Sequence, residues 1–128
     1  QWDELMRYGT TSAGQGICPP AWHVPSEGEW QALLGAVVSW ATPPDGVAGA
    51  YLKDLNLPGG FHSVQGGLLY LDHHWSFNSG DFTGSMYWTS TASGTERAGA
   101  RGVNAINFST SRYSGSRANA FSSRCVKD

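Results

Sequence analysis

The sequence predicts an α+β domain in which two helices come first and a small, twisted, mostly antiparallel sheet with long loops follows. Three observations predict it. An apolar stripe at helical spacing begins just after Ser26, a second and shorter one follows near residue 50, and the chain beyond Leu57 breaks into short apolar runs bounded by Gly, Ser and Asn. Helices segregated from strands along the chain argue for helices packed on one sheet rather than alternating βαβ units. With 128 residues there is room for one core, and the expectation is a single domain over residues 1–128.

The first helix carries its own start signal. In Val-Pro-Ser-Glu-Gly-Glu-Trp, Ser26 is placed as N-cap and Glu29 three positions on, a capping box, with two acids in the first turn to suit the helix dipole. Trp30, Leu33, Leu34, Val37 and Val38 then recur on one face of residues 27–38, and Thr42-Pro-Pro-Asp-Gly ends the helix. A second helix is predicted from Val47 to Leu55, with Ala48, Tyr51, Leu52 and Leu55 on one side. The predicted strands are Leu68–Asp72, Met86–Ser90, Gly102–Phe108 and Ala120–Val126. In the third of these, Ile106 and Phe108 are expected to face inward and Val103, Ala105 and Asn107 outward. Asn104 falls on the inward register and needs a strand end or a buried partner. No internal repeat is evident.

Composition narrows the class. Charged residues are only 14% of the chain while aromatics reach 12%, and small polar residues abound, the balance of a loop-rich extracellular module and not of a disordered tail. No apolar stretch approaches the ~18 residues of a membrane span. Gln1 is not an initiator, which points to a processed or excised piece of a longer protein. The net charge of −2 hides an asymmetry. Residues 1–91 hold Arg7 and Lys53 against eight acids, a net −6; residues 92–128 hold five Arg and Lys127 against Glu96 and Asp128, a net +4. The basic third lacks the lysine density needed to track phosphates, so a salt-balanced surface is preferred to nucleic-acid binding.

Two cysteines, Cys18 and Cys125, frame the chain. Two readings are open: a cross-link between the first helix and the last strand, or two unrelated buried thiols. The secreted-looking composition favours the cross-link, which by loop entropy would stabilise the fold by up to ~4–5 kcal/mol.

Other chemistry is thin. Asp72-His73-His74 is the best metal-like cluster, but adjacent strand residues point to opposite faces and no third ligand stands at a suitable spacing. His23 reads as structural, fixing the turn before the first helix. No G-x-S-x-G elbow supports a serine nucleophile, and no phosphate-binding glycine loop precedes a helix. No metal or cofactor is expected.

Three blocks carry a family resemblance: GICPPAWHVPSEGEW (16–30), YWTSTASG (87–94) and NAFSSRCVKD (119–128). Together with the segment Trp2-Asp3-Glu4-Leu5-Met6-Arg7-Tyr8, they resemble the Fibrobacter succinogenes major paralogous domain over residues 1–128. The resemblance implies a C-type lectin-like fold, related to the formylglycine-generating enzyme group, in a bacterial surface or secreted protein, with this chain as the C-terminal part of a longer one and a lipoprotein as one form of attachment. It also implies pairing of Cys18 with Cys125, which leaves no thiol for the copper chemistry of the oxidase relatives. The Glu-Pro-Asn, Gln-Pro-Asp and Trp-Asn-Asp tripeptides of calcium-dependent sugar binders are absent from the sequence.

What remains is a binding surface in the C-terminal third. Residues 92–123 are nearly all Ser, Ala, Gly, Asn, Arg and Thr, with Tyr113 as an anchor, a paratope-like mixture. The candidate ligand-binding residues are Trp75, Arg97, Arg101, Asn104, Asn107, Arg112, Tyr113, Arg117 and Asn119. Trp75 is the aromatic expected to be exposed, whereas Trp22, Trp30 and Trp88 are assigned to the core. The same fold serves the variable proteins of diversity-generating retroelements, whose hypervariable stretch would fall near residues 92–119. The expected function is therefore a non-catalytic recognition or adhesion module for a protein or glycan, extracellular or at the cell surface. The alternatives are a purely structural module of a surface protein and, third, an enzyme relative.

Overall fold

Ser26 starts the longest helix as the sequence predicts. Its hydroxyl accepts from the Glu29 N–H at 3.3 Å, and the Glu29 carboxylate accepts from the Ser26 N–H at 2.8 Å and from its hydroxyl at 2.7 Å. The computed structural model describes residues 1–40, 48–53, 61–63, 68–69, 75–76, 78–79, 82–104 and 109–128. Among these, the chain is α+β: α1 Trp2–Leu5, β1 Trp22–His23, α2 Glu27–Trp40, α3 Ala48–Lys53, β2 Leu68–Leu69, β3 Trp75–Ser76, β4 Asn78–Ser79, β5 Phe82–Ala92, β6 Arg97–Asn104, β7 Thr110–Ser116 and β8 Val126–Lys127. A four-stranded antiparallel sheet runs β4-β5-β6-β7, and β1 with β8 and β2 with β3 form two small antiparallel pairs. No helix among the described residues is long and apolar enough to cross a membrane.

Strands β5 and β6 form the middle of the molecule, with apolar residues on both faces. One face packs Met86, Trp88, Ala98 and Ala100 against Trp2, Leu5, Met6, Cys18 and Val24. The other packs Tyr87 and Val103 against Trp30 of α2 and Leu52 of α3, with Phe61 alongside. The alternation of Met86, Tyr87 and Trp88 between the two clusters is the period-2 signature of a strand buried on both sides. Val103 is fully buried, so the outward register expected for it is corrected. The expectation failed because it assumed a sheet with one wet face. Asn104 does lie at a strand end: its N–H donates to the Ser109 carbonyl and its carbonyl accepts from Lys53 Nζ at 2.8 Å.

The Trp-Thr-Ser-Thr run of β5 bulges, with the four steps from Trp88 to Ala92 set against the two from Ala100 to Ala98 on β6. Its polar groups bind the N-terminal half. The Thr89 carbonyl accepts from Trp2 Nε1 at 2.7 Å, the Ser90 hydroxyl from the Ala13 N–H at 2.7 Å, and the Thr91 hydroxyl from the Glu27 N–H at 3.0 Å. The Ser90 N–H donates to the Pro25 carbonyl at 2.9 Å. Gly99 on β6 lets the bulge close, since a Cβ there would stand 2.8 Å from Thr89 Oγ1. Gly16 has φ +54°, and a Cβ on it would collide with the Leu5 carbonyl oxygen.

Cys18 and Cys125 form a disulfide with Cα atoms 5.8 Å apart. The expected attachment points change, however. Cys18 precedes β1 and lies in no helix, and Cys125 directly precedes β8, so the link joins the two segments that then pair as β1 and β8. Two further expectations are corrected. The predicted strand Ala120–Val126 is not one strand: among the described residues, 120–125 make only isolated bridges, Leu69 with Ala120 and Tyr87 with Ser122, and β8 begins at Val126. Trp22 is 38% exposed and belongs to the surface, not the core, because the two-residue β1 is a peripheral pair. The helix-stop segment 42–46, Asp72-His73-His74 and the strand positions 105–108 lie outside the described residues.

Candidate ligand-binding face

The candidate site is built on β7, an edge strand that the sequence reading left as loop. Thr-Ser-Arg-Tyr-Ser-Gly-Ser has the composition of a turn, yet every residue from Thr110 to Ser116 pairs with β6. Ser111 and Tyr113 are open to solvent on one face of β7 and Arg112 on the other, while Gly115 packs where a Cβ would touch Trp88, Phe121 and Tyr113. Beside β7, a shallow groove of about 360 Å³ is lined by Thr91 and Ser93 of β5 and its turn, Gly99, Glu27, and Arg112, Tyr113 and Ser114. Arg97 is exposed at its end and donates to the Ser114 carbonyl. The Ser114 hydroxyl in turn donates to Ser93 Oγ at 3.2 Å. The groove thus offers hydroxyls and two guanidiniums around a single carboxylate, while the Tyr113 ring lies on the other face of β7, 6.2 Å from Phe121.

That carboxylate is Glu27, which the sequence reading treated only as a helix-dipole residue. Its N–H is tied to Thr91, so the helix start is held against the sheet, and its side chain accepts from Arg101 and, at 3.1 Å, from Arg112. Arg101 also donates to Gln31 one turn further along α2. Arg101 and Arg112 are register partners on β6 and β7, so they project on the same side toward α2. The nearest sequence signal was the pair of acids in the first turn of α2, but nothing local assigns one of them to a strand some seventy residues away.

The remaining candidates divide clearly. Arg97 and Arg112 come together at the groove, and Tyr113 is exposed on the opposite face of β7 beside Phe121. Arg101, Asn104 and Asn119 are buried, at 6%, 7% and 5% exposure, and cannot meet a ligand at this surface as the protein stands. Arg117 is a staple. Its guanidinium lies 4.3 Å over the Trp2 ring, pairs with Asp3 at 3.2 Å, and donates to the Gly94 carbonyl at 2.8 Å, closing the β5–β6 turn. Asn107 lies outside the described residues, and Trp75 is described only as backbone, paired with Leu69.

The charge asymmetry along the sequence is partly offset in space. Arg117 meets Asp3, and Arg101 and Arg112 meet Glu27, so basic residues of the last third are matched with acids of the first. A second acid–base cluster sits beside the same first turn of α2. His23 Nδ1 and Nε2 lie 2.6 Å from Asp128 Oδ1 and Glu29 Oε1. Two acceptors on two ring nitrogens favour the imidazolium, and the hydrogen bonds to Asp128 and Glu29 outweigh desolvation to raise its pKa. Burial alone would raise the Glu29 carboxyl, but the Ser26 and His23 hydrogen bonds prevail and lower it. Burial lowers the pKa of Lys53, whose ammonium sits against β6. His23 is accordingly a structural bridge, in keeping with the role read for it in the WHVP block. Among the described residues no group of three or more His, Cys, Asp or Glu side chains is arranged to hold a metal ion. Set against protein-family models, curated proteins and solved structures, the chain matches none of them.

Proposed function

We propose that this chain is a non-catalytic recognition module of C-type lectin-like fold that binds a protein or glycan through the groove beside β7. The observation that carries the reading is the convergence of the Arg97 and Arg112 guanidiniums with the Ser93, Ser114 and Thr91 hydroxyls at one exposed edge of the sheet. The arginines supply charge-assisted donors, and serines adapt to the partner. A ligand rich in hydroxyls or carbonyl oxygens suits such a surface. The disulfide supports an extracellular or cell-surface setting, since such bonds persist in oxidising compartments. It also holds both cysteines of the chain, which removes the thiol that a formylglycine-generating relative would use.

The family reading, the Fibrobacter succinogenes major paralogous domain with a diversity-generating origin, rests on the three sequence blocks. The structure gives those blocks physical work: the first holds the disulfide and the capping box, the second holds the bulge, and the third ends on β8. If residues 92–119 vary among sibling copies, the changes should fall at 97, 111, 112 and 113 and spare Arg101, Asn104, Arg117 and Asn119. The direct test is a glycan and protein array probed with the wild-type chain and with Arg112→Ala. A specific signal lost in the variant is expected. Binding that survives both Arg112→Ala and Arg97→Ala would remove the groove from consideration, and no binding to any feature would favour a purely structural module.

A further inference from the structure

On the side of the molecule where β1 pairs with β8, a cleft of about 570 Å³ opens beside the disulfide. Its apolar walls are Trp22, Pro25, Trp30, Leu33, Phe61 and Val126. Trp22 and Val126 leave 38% of their surfaces exposed at its edge, an arrangement that favours an apolar occupant. The size falls within the range of small-molecule sites, roughly 300–1,000 Å³, and three aromatic walls suit a flat ring.

Two charged residues line the cleft, Glu29 and Arg124. The Glu29 carboxylate is already held by His23 and the Ser26 donors, which leaves Arg124 as the charged donor of the cleft. Arg124 lies with its guanidinium 4.9 Å over the Phe61 ring and donates to the His62 carbonyl at 3.0 Å. Stacking and that bond fix its plane, and among the described residues they engage one of its five N–H donors. Trp30 is 2% exposed and supplies part of the apolar lining.

We propose that this cleft is a second binding site, separate from the β7 groove and independent of that reading, for a small ligand with a flat apolar body and one carboxylate. The ring lies among Trp22, Trp30 and Phe61, and the carboxylate accepts from the Arg124 guanidinium.

The test titrates 3-phenylpropionate, and separately its neutral amide, into the intact protein while the indole N–H signals of the six tryptophans are followed by NMR. Saturable shifts at the Trp22 and Trp30 signals are expected, with the amide weaker by about tenfold, since a hydrogen bond to a charged group is worth about that factor or more. Arg124→Gln should weaken the acid to the level of the amide, and Trp22→Ala should weaken both. Equal affinity for acid and amide, or no saturable shift at these two signals, would overturn the proposal. The comparison of the two probes uses the unaltered protein, so it decides the matter even if a variant fails to fold.

Discussion

Replacing Glu27 with Gln keeps the length of the side chain and deletes its charge. In the folded protein that charge serves Arg101, whose side chain is 7% exposed, and Arg112, whose side chain is 73% exposed. The two guanidiniums belong to register partners on adjacent strands, so without the carboxylate two like charges face one another. Stranding one member of a buried ion pair costs about 3–5 kcal/mol, because the remaining charge cannot regain its hydration. Gln31 still accepts from Arg101, which sets the expectation near the lower end, about 3 kcal/mol. The exposed Arg112 contact should be worth less than about 1 kcal/mol. Urea unfolding followed by tryptophan fluorescence measures all of this, with the slope checked for constancy. Arg101→Met in the Glu27→Gln background should recover much of the loss, since the stranded charge is then gone. A Glu27→Gln loss below about 1 kcal/mol, matched by Arg112→Ala, would refute the reasoning and make Glu27 an ordinary surface acid.

Two further predictions concern the segments that lead into α2 and pair with the C-terminus. The Cys18–Cys125 link closes a separation of 107 positions, and the chain-entropy model gives about 4–5 kcal/mol at most. The Cys18→Ser/Cys125→Ser variant should unfold at markedly lower urea than the oxidised protein, and a difference under about 1 kcal/mol would show that strain or residual structure cancels the link. The His23 bridge makes stability depend on pH in both directions. The raised His23 pKa gives a contribution that is full below the ordinary value of 6.5 and lost as pH rises through the folded value. The lowered Glu29 pKa gives one that is present above 4.5 and lost as pH falls through its folded value. The urea midpoint should therefore be highest between these limits. His23→Gln should flatten the alkaline decline, and an unchanged decline in that variant would remove His23 as its cause.

Sequence reading served best where the signal was local. The capping box at Ser26 and the apolar face from Trp30 to Val37 lie within one helix, so spacing alone located α2 to within two residues at its end. The second helix, expected over 47–55, is described over Ala48–Lys53. Strand β7 was missed because its seven residues have little intrinsic strand preference, and pairing with β6 decides their conformation. The binding face was only partly legible for the same reason. Arg101 and Arg112 look alike in sequence, but register and the position of Glu27 bury the first and expose the second. Asn119 and Arg117 carry paratope-like chemistry and serve as internal fasteners. Trp22 was misjudged because aromatic character predicts burial only for a residue whose element has neighbours on both sides.

The placement of the disulfide has a consequence for breakage. Any single cut in the backbone between residues 18 and 125, including one in the connections around α3 or in the β7 edge, leaves two pieces that remain one covalent molecule. The pieces stay at high effective concentration, and the groove beside β7 stays tethered to the segments that brace it. In a protease-rich setting such a protein can be nicked and still be held as a unit until a reductant arrives. On a gel the nick would appear only after the sulfurs are reduced.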